Sequence, residues 1–103
     1  MRRCPPIALS VLLLAVITLH AEPLSIVSRI KRVPVESSAL AAIGYSKKLR
    51  ALEIEFRNGA IYRYLEVAPE VYDGLLNARS KARFYDDYIR HKYRSLHVRP
   101  RAP

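Results

Sequence analysis

The dipeptide Asn58-Gly59 stands between two alternating runs, Leu52-Glu53-Ile54-Glu55-Phe56 and Ile61-Tyr62-Arg63-Tyr64-Leu65. A period of two puts successive side chains on opposite faces, so both runs read as strands with one face in a core. Asn and Gly tolerate the positive φ that a type I′ turn needs at both central positions, and the spacing predicts a two-residue hairpin. That turn sets the register: Arg57 opposes Ala60, Phe56 opposes Ile61, Glu55 opposes Tyr62, Ile54 opposes Arg63, Glu53 opposes Tyr64 and Leu52 opposes Leu65. The core face is then Leu52, Ile54, Phe56, Ile61 and Leu65. The open face carries Glu53, Glu55, Arg57, Tyr62 and Tyr64. Arg63 is the odd residue on the apolar side, expected to reach the sheet edge or pair with a helix acid.

The rest of the chain supplies one strand before the hairpin and two helices after it. Residues 39–45 read as a strand with a bulge at Ala41-Ala42, because Leu40 and Ile43 break the period of two. Ser46-Lys47-Lys48 makes the following turn. Pro69 suits a first helical position and Glu70 the positive helix end, which predicts a helix from 69 to about 78 presenting Val71, Tyr72, Leu75 and Leu76. Gly74 weakens it by about 1 kcal/mol relative to Ala. Ser80 is an N-cap for a second helix from 81 to about 93, with Phe84, Tyr85, Tyr88, Ile89 and Tyr93 on its apolar face. On the other face Arg83 with Asp87 and Asp86 with Arg90 stand four apart, the spacing of intrahelical ion pairs. The expected fold is α+β: a three-stranded antiparallel meander followed by two helices packed on the Leu52, Ile54 and Phe56 face. At 103 residues, half of them apolar, the chain makes one domain.

Met1-Arg2-Arg3, an apolar run over residues 7–19, and Ala21 follow the order of an export signal, and the run is shorter than the roughly 20 residues of a membrane span. The expected organisation is a signal at 1–21, a basic linker at 22–32, a domain at 33–94 and a disordered basic tail at 95–103. Cleavage after Ala21 makes the product secreted or periplasmic, with no stable membrane insertion expected afterwards. It removes the one cysteine, and with it thiol and zinc-thiolate chemistry. Two other readings stay open: an uncleaved anchor, and translation starting near Val27, which makes the protein cytoplasmic.

Formal net charge is +9, falling to +7 after cleavage (16 basic against 9 acidic residues), a balance that points to an anionic partner such as nucleic acid or another polyanion, or to solubility alone. Two tyrosines on an open sheet face are the residues that stack bases in RNA-binding sheets, although Glu53 and Glu55 beside them would repel phosphate. Catalysis finds no support: His91 and His97 are six apart without a thiol or carboxylate at ligand spacing, and no Gly-rich phosphate loop is present. No catalytic residue, metal or cofactor is expected.

From 33 to 93 the chain resembles the KTSC domain family, named for a segment at the C-terminus of some lysyl-tRNA synthetases. Tyr62-Arg63-Tyr64 matches the family's Tyr-x-Tyr, Ser37-Ser38 and Gly44-Tyr45 its Ser-Ser and Gly-Tyr elements, and Pro69 to Tyr72 its Pro-x-x-Tyr. Ser80-Lys81-Ala82 stands where the family usually has Ser-Lys-Gly. The resemblance implies RNA binding, suggested for the family, and no established enzymatic activity. The candidate ligand-binding residues are Tyr62, Tyr64, Arg57, Lys47, Lys48, Arg50, Ser80 and Lys81. The alternative is a protein-interaction or self-association module using the tyrosine face or a sheet edge.

Overall fold

The computed structural model describes residues 25–99. The expected signal at 1–21 lies outside the described residues. Eight elements follow in order: β1 (Ser25–Val27), β2 (Val33–Pro34), β3 (Leu40–Ser46), β4 (Ala51–Phe56), β5 (Ile61–Tyr64), α1 (Pro69–Asn77), α2 (Lys81–Tyr88) and β6 (Ser95–Arg99). They form a six-stranded mixed sheet in the order β1-β6-β5-β4-β3-β2, with β1 parallel to β6 and every other pair antiparallel. The expected three-stranded meander is therefore the middle of a larger sheet. Short β1 and β2 extend it within and beyond the expected linker, and β6 occupies the start of the expected disordered tail. The two ends of the described residues gain strand structure because they pair with each other, Ile26 beside Val98.

The hairpin differs from its expected form by one residue, and the difference inverts a strand. Observed partners are Leu52 with Tyr64, Glu53 with Arg63, Ile54 with Tyr62 and Glu55 with Ile61. The loop is the three residues Arg57, Asn58 and Gly59, closed by Gly59 N donating to Phe56 O and Phe56 N donating to Ala60 O. Gly59 alone has positive φ (+94°), whereas Asn58 does not, so the turn is type I with a glycine bulge rather than type I′. Asn58 instead accepts from Ala60 N through its side chain. A slip of one residue moves every side chain of β5 to the other face. Tyr62 and Tyr64 thus join Leu52, Ile54 and Phe56, while Ile61 and Arg63 join Glu53 and Glu55. Gly59→Ala is expected to cost about 1–2 kcal/mol in urea unfolding, since a Cβ disfavours this left-handed conformation.

The helices cover the Leu52, Ile54 and Phe56 face as expected. Leu40, Ile43, Leu52, Ile54, Tyr64, Val67, Leu75 and Ile89 form the buried core on that side. The bulge expected in β3 is present as a register shift between Leu40 and Ala42. Ser80 Oγ accepts from Arg83 N and caps α2. That helix stops at Tyr88 rather than near Tyr93, because Ile89 closes it and His91 enters the left-handed region (φ 62°), turning the chain toward β6. Tyr88 is 59% exposed, its ring against Phe84 at 4.7 Å rather than in the core. Of the two expected helical ion pairs, Arg90 with Asp86 forms at 3.4 Å, and Arg83 with Asp87 is absent among the described residues.

The other sheet face is crossed by residues 28–32, which run from one edge strand to the other. Six Cα steps from Val27 to Val33 reach at most about 22 Å. Five strand spacings of a flat sheet need about 24 Å. The sheet must therefore curl around this strap. Beneath it Glu53 is fully buried, bonded to Arg32 Nη1 at 2.7 Å and to Arg63 at 2.8 Å. Arg63 thus pairs with a strand acid rather than a helix acid, directly across β4 and β5.

Candidate functional site

The register places Tyr62 between Ile54 on β4 and His97 on β6, and Tyr64 between Leu52 and Ser95. Helix α2 brings Tyr85 over them, and the turn after it adds Arg90, His91 and Tyr93. Tyr62, Tyr64, Tyr85, Arg90, His91 and Tyr93 line, with Phe56, a cleft of about 440 Å³ at the hairpin end of the helix-covered face. The rings meet edge to face: Phe56 and Tyr85 at 5.2 Å, Phe56 and Tyr62 at 6.3 Å, Tyr62 and His97 at 5.6 Å between centroids.

At the back of the cleft the Tyr64 and Tyr85 hydroxyls are 2.8 Å apart. Burial, reinforced by the hydrogen bond with Tyr85, pushes the Tyr64 phenol far above the usual tyrosine range. It therefore stays neutral and serves as a hydrogen-bonding group. Two hydroxyls joined by one bond have one proton left. Either hydroxyl can supply it, since either can donate the bond between them and both residues line the cleft. Arg90, exposed at the lip and held among the described residues by a long 3.4 Å contact to Asp86, adds positive charge. The arrangement can hold a flat ring against aromatic walls and an anionic group at the lip. Among the described residues no group of three His, Cys, Asp or Glu is placed to hold a metal ion.

The expected site residues divide. Tyr62 and Tyr64 meet in the cleft. Lys47, Lys48 and Arg50 are exposed in the β3–β4 turn at the opposite end of the strands. Arg57 flanks the hairpin but points to the β2–β3 connection, where Nε donates to Ser37 O at 2.7 Å. Ser80 is occupied as a helix cap, and Lys81 Nζ donates to Ala78 O. The cleft residues that sequence reasoning missed are Phe56, Tyr85, Arg90, His91 and Tyr93. Beside the cleft, His97 is half-buried against Tyr62, a contact legible only once β6 is known. For Tyr85 and Tyr93 the signal was present, since both stood on the expected apolar face of α2.

The KTSC domain pattern matches residues 36–93, more than half of the chain. The chain belongs to the KTSC domain family. A crystal structure of a KTSC domain protein from Yersinia pestis superposes with a TM-score of 0.66 at 37% identity, covering 68% of this chain and 99% of that one. A protein of Tsukamurella paurometabola is 44% identical over 63 residues, which are 61% of this chain and 94% of the relative. An uncharacterized protein of Stutzerimonas stutzeri is 43% identical over 60 residues, 58% of this chain and 84% of that protein. The lysine–tRNA ligase of Nostoc punctiforme is 36% identical over 59 residues, which occupy 57% of this chain and 10% of the ligase. The KTSC match includes Tyr62, Tyr64, Tyr85, Arg90, His91 and Tyr93. It leaves out β1, the strap, β2 and β6.

Proposed function

We propose that this KTSC protein is a small non-catalytic binding module whose aromatic cleft receives one unstacked base of a single-stranded nucleic acid, with Arg90 and His91 at the lip meeting the adjoining phosphate. The observation that carries the reading is the hairpin register. It gathers Tyr62 and Tyr64 with Phe56, Tyr85 and Tyr93, and it moves Glu53 and Glu55 to the opposite face. The electrostatic objection to base stacking, carboxylates beside the tyrosines, is thereby removed. A family member inside a lysine–tRNA ligase supports an RNA ligand. The high basic excess supports any polyanion.

Fluorescence anisotropy with a labelled single-stranded oligonucleotide tests this. Log affinity is expected to fall linearly with log salt, by about 0.7 per phosphate contacted. Tyr62→Ala is expected to weaken binding by about 1–3 kcal/mol, the loss of one stacked base. Absent or salt-independent binding overturns the proposal.

Exposed Leu76 and Tyr88 on the two helices favour a second reading, a protein-interaction module. In that case Tyr88→Ala, and not Tyr62→Ala, removes association.

A further inference from the structure

We propose that the groove between the strap and the β3–β4 turn is a docking face for an anionic phospholipid bilayer. The groove encloses about 650 Å³ and is walled by Val27, Arg29, Lys31, Lys48 and Leu49. Val27 is 62% exposed and Leu49 55%, two of the most exposed large hydrophobic side chains among the described residues. Cations stand around them. Among the described residues, none of Arg29, Lys31 and Lys48 forms an ion pair, nor do Lys47 and Arg50 in the same turn. Arg32 and Arg63, by contrast, are taken up by Glu53.

Exposed aliphatic tips within a ring of free Lys and Arg suit a membrane interface, where the tips enter the headgroup boundary and the cations meet lipid phosphates. A single-stranded nucleic acid would use the cations but has no partner for Val27 and Leu49. Its own requirement, stacking rings, is met on the other face of the sheet, in the cleft. The course of the chain agrees with a bilayer. Five residues separate the apolar residues 7–19 from Ser25, and β1 then leads directly to Val27 and Arg29. In a chain that keeps residues 7–19, the uncleaved-anchor reading, that apolar run precedes the domain at the edge that carries the groove. The inference stands apart from the cleft and its ligand.

Cosedimentation of the full chain with phosphatidylcholine vesicles, and with vesicles containing phosphatidylglycerol as well, tests it. The apolar residues 7–19 contribute to both vesicle types alike, and cations outside the groove contribute equally to parent and variant, so the loss caused by a charge variant reads the groove. Each Lys or Arg near an anionic surface is worth roughly five-fold in partitioning. Arg29→Gln with Lys48→Gln is therefore expected to lower binding to the anionic vesicles about 25-fold, with little change for phosphatidylcholine alone. Val27→Ser with Leu49→Ser is expected to weaken both. All four side chains are exposed, so neither variant opens the core. Equal binding of the parent chain to the two vesicle types overturns the proposal. So does a charge variant that loses oligonucleotide binding while keeping its preference for anionic vesicles.

Discussion

Glu53→Ala is expected to destabilise the protein by about 3–5 kcal/mol, seen as a fall in melting temperature of roughly 12 °C or more. The Glu53 side chain has no exposed surface and holds two guanidinium groups, Arg32 on one oxygen and Arg63 on the other. Truncating it leaves both cations beneath the strap, with side chains 22% and 15% exposed. What remains to them is a 3.4 Å contact from Arg32 to Glu55 and a hydrogen bond from Arg63 to Ser28 Oγ. The loss is largely the cost of keeping an unpaired charge away from water, and the attraction of the pair itself is the smaller part. A particular ordering of variants follows. Glu53→Gln keeps the volume and one acceptor, so it should fall between parent and Glu53→Ala. Glu53→Leu combined with Arg63→Leu should cost less than Glu53→Ala alone, because it removes one of the two stranded cations and leaves Arg32 its contact with Glu55. A drop below about 4 °C for Glu53→Ala would mean that water reaches the arginines and that the strap does not seal this face.

The same buried acid shows what could be read before the fold was known. The elements built from local chemistry were legible: Pro69 opening α1, Ser80 capping α2, the bulge at Ala41-Ala42, and Leu52, Ile54, Leu75 and Ile89 as core. The hairpin was legible as a hairpin but not in register, because Asn58-Gly59 serves two turns that differ by one residue. One needs positive φ at both positions and the other at Gly59 only. The anomaly that distinguishes them was Arg63. In the type I′ register it lies on the apolar face, whereas in the observed register it meets Glu53 across the strands and the tyrosines enter the core side. Satisfying a buried charge outweighs keeping Ile61 with the aliphatics, since Ile61 is buried on the strap side anyway. Strands β1 and β6 were hidden for another reason. Ser25–Val27 is three residues long and pairs with residues at the far end of the chain, a partnership no local pattern announces. Leu96 and Val98 do alternate with Ser95, His97 and Arg99, but the basic, proline-bearing sequence around them reads as a tail. With β6 missing, His97 could not be placed, and the cleft was reduced to two tyrosines.

Gly44→Ala is expected to release the strap. A Cβ at residue 44 would overlap the carbonyl oxygen of Lys31 and lie 3.0 Å from its carbon and 3.1 Å from Arg32 Cα. All three are backbone atoms, so no side chain can turn aside, and the strap must lift from β3. Overpacking of this kind costs about 1–3 kcal/mol. Here Arg32 moves with the strap and loosens its hold on Glu53, which carries the expected total to about 3 kcal/mol, toward the loss from a broken buried pair. Urea unfolding reads the sum. Limited trypsin digestion reads the cause, since Arg29, Lys31 and Arg32 become cleavable once residues 28–32 leave the sheet. Because the loss runs through Arg32, Gly44→Ala and Arg32→Ala should not add: the double variant should be little worse than the worse of the two singles. Full additivity with unchanged trypsin sensitivity would mean that β3 yields instead of the strap. The two faces of the sheet should then respond differently. The cleft is built from β4, β5, α2 and β6 on the opposite side, so its affinity for an oligonucleotide should survive Gly44→Ala. Arg29 and Lys31 ride on the strap itself, so the preference for anionic vesicles should fall with it.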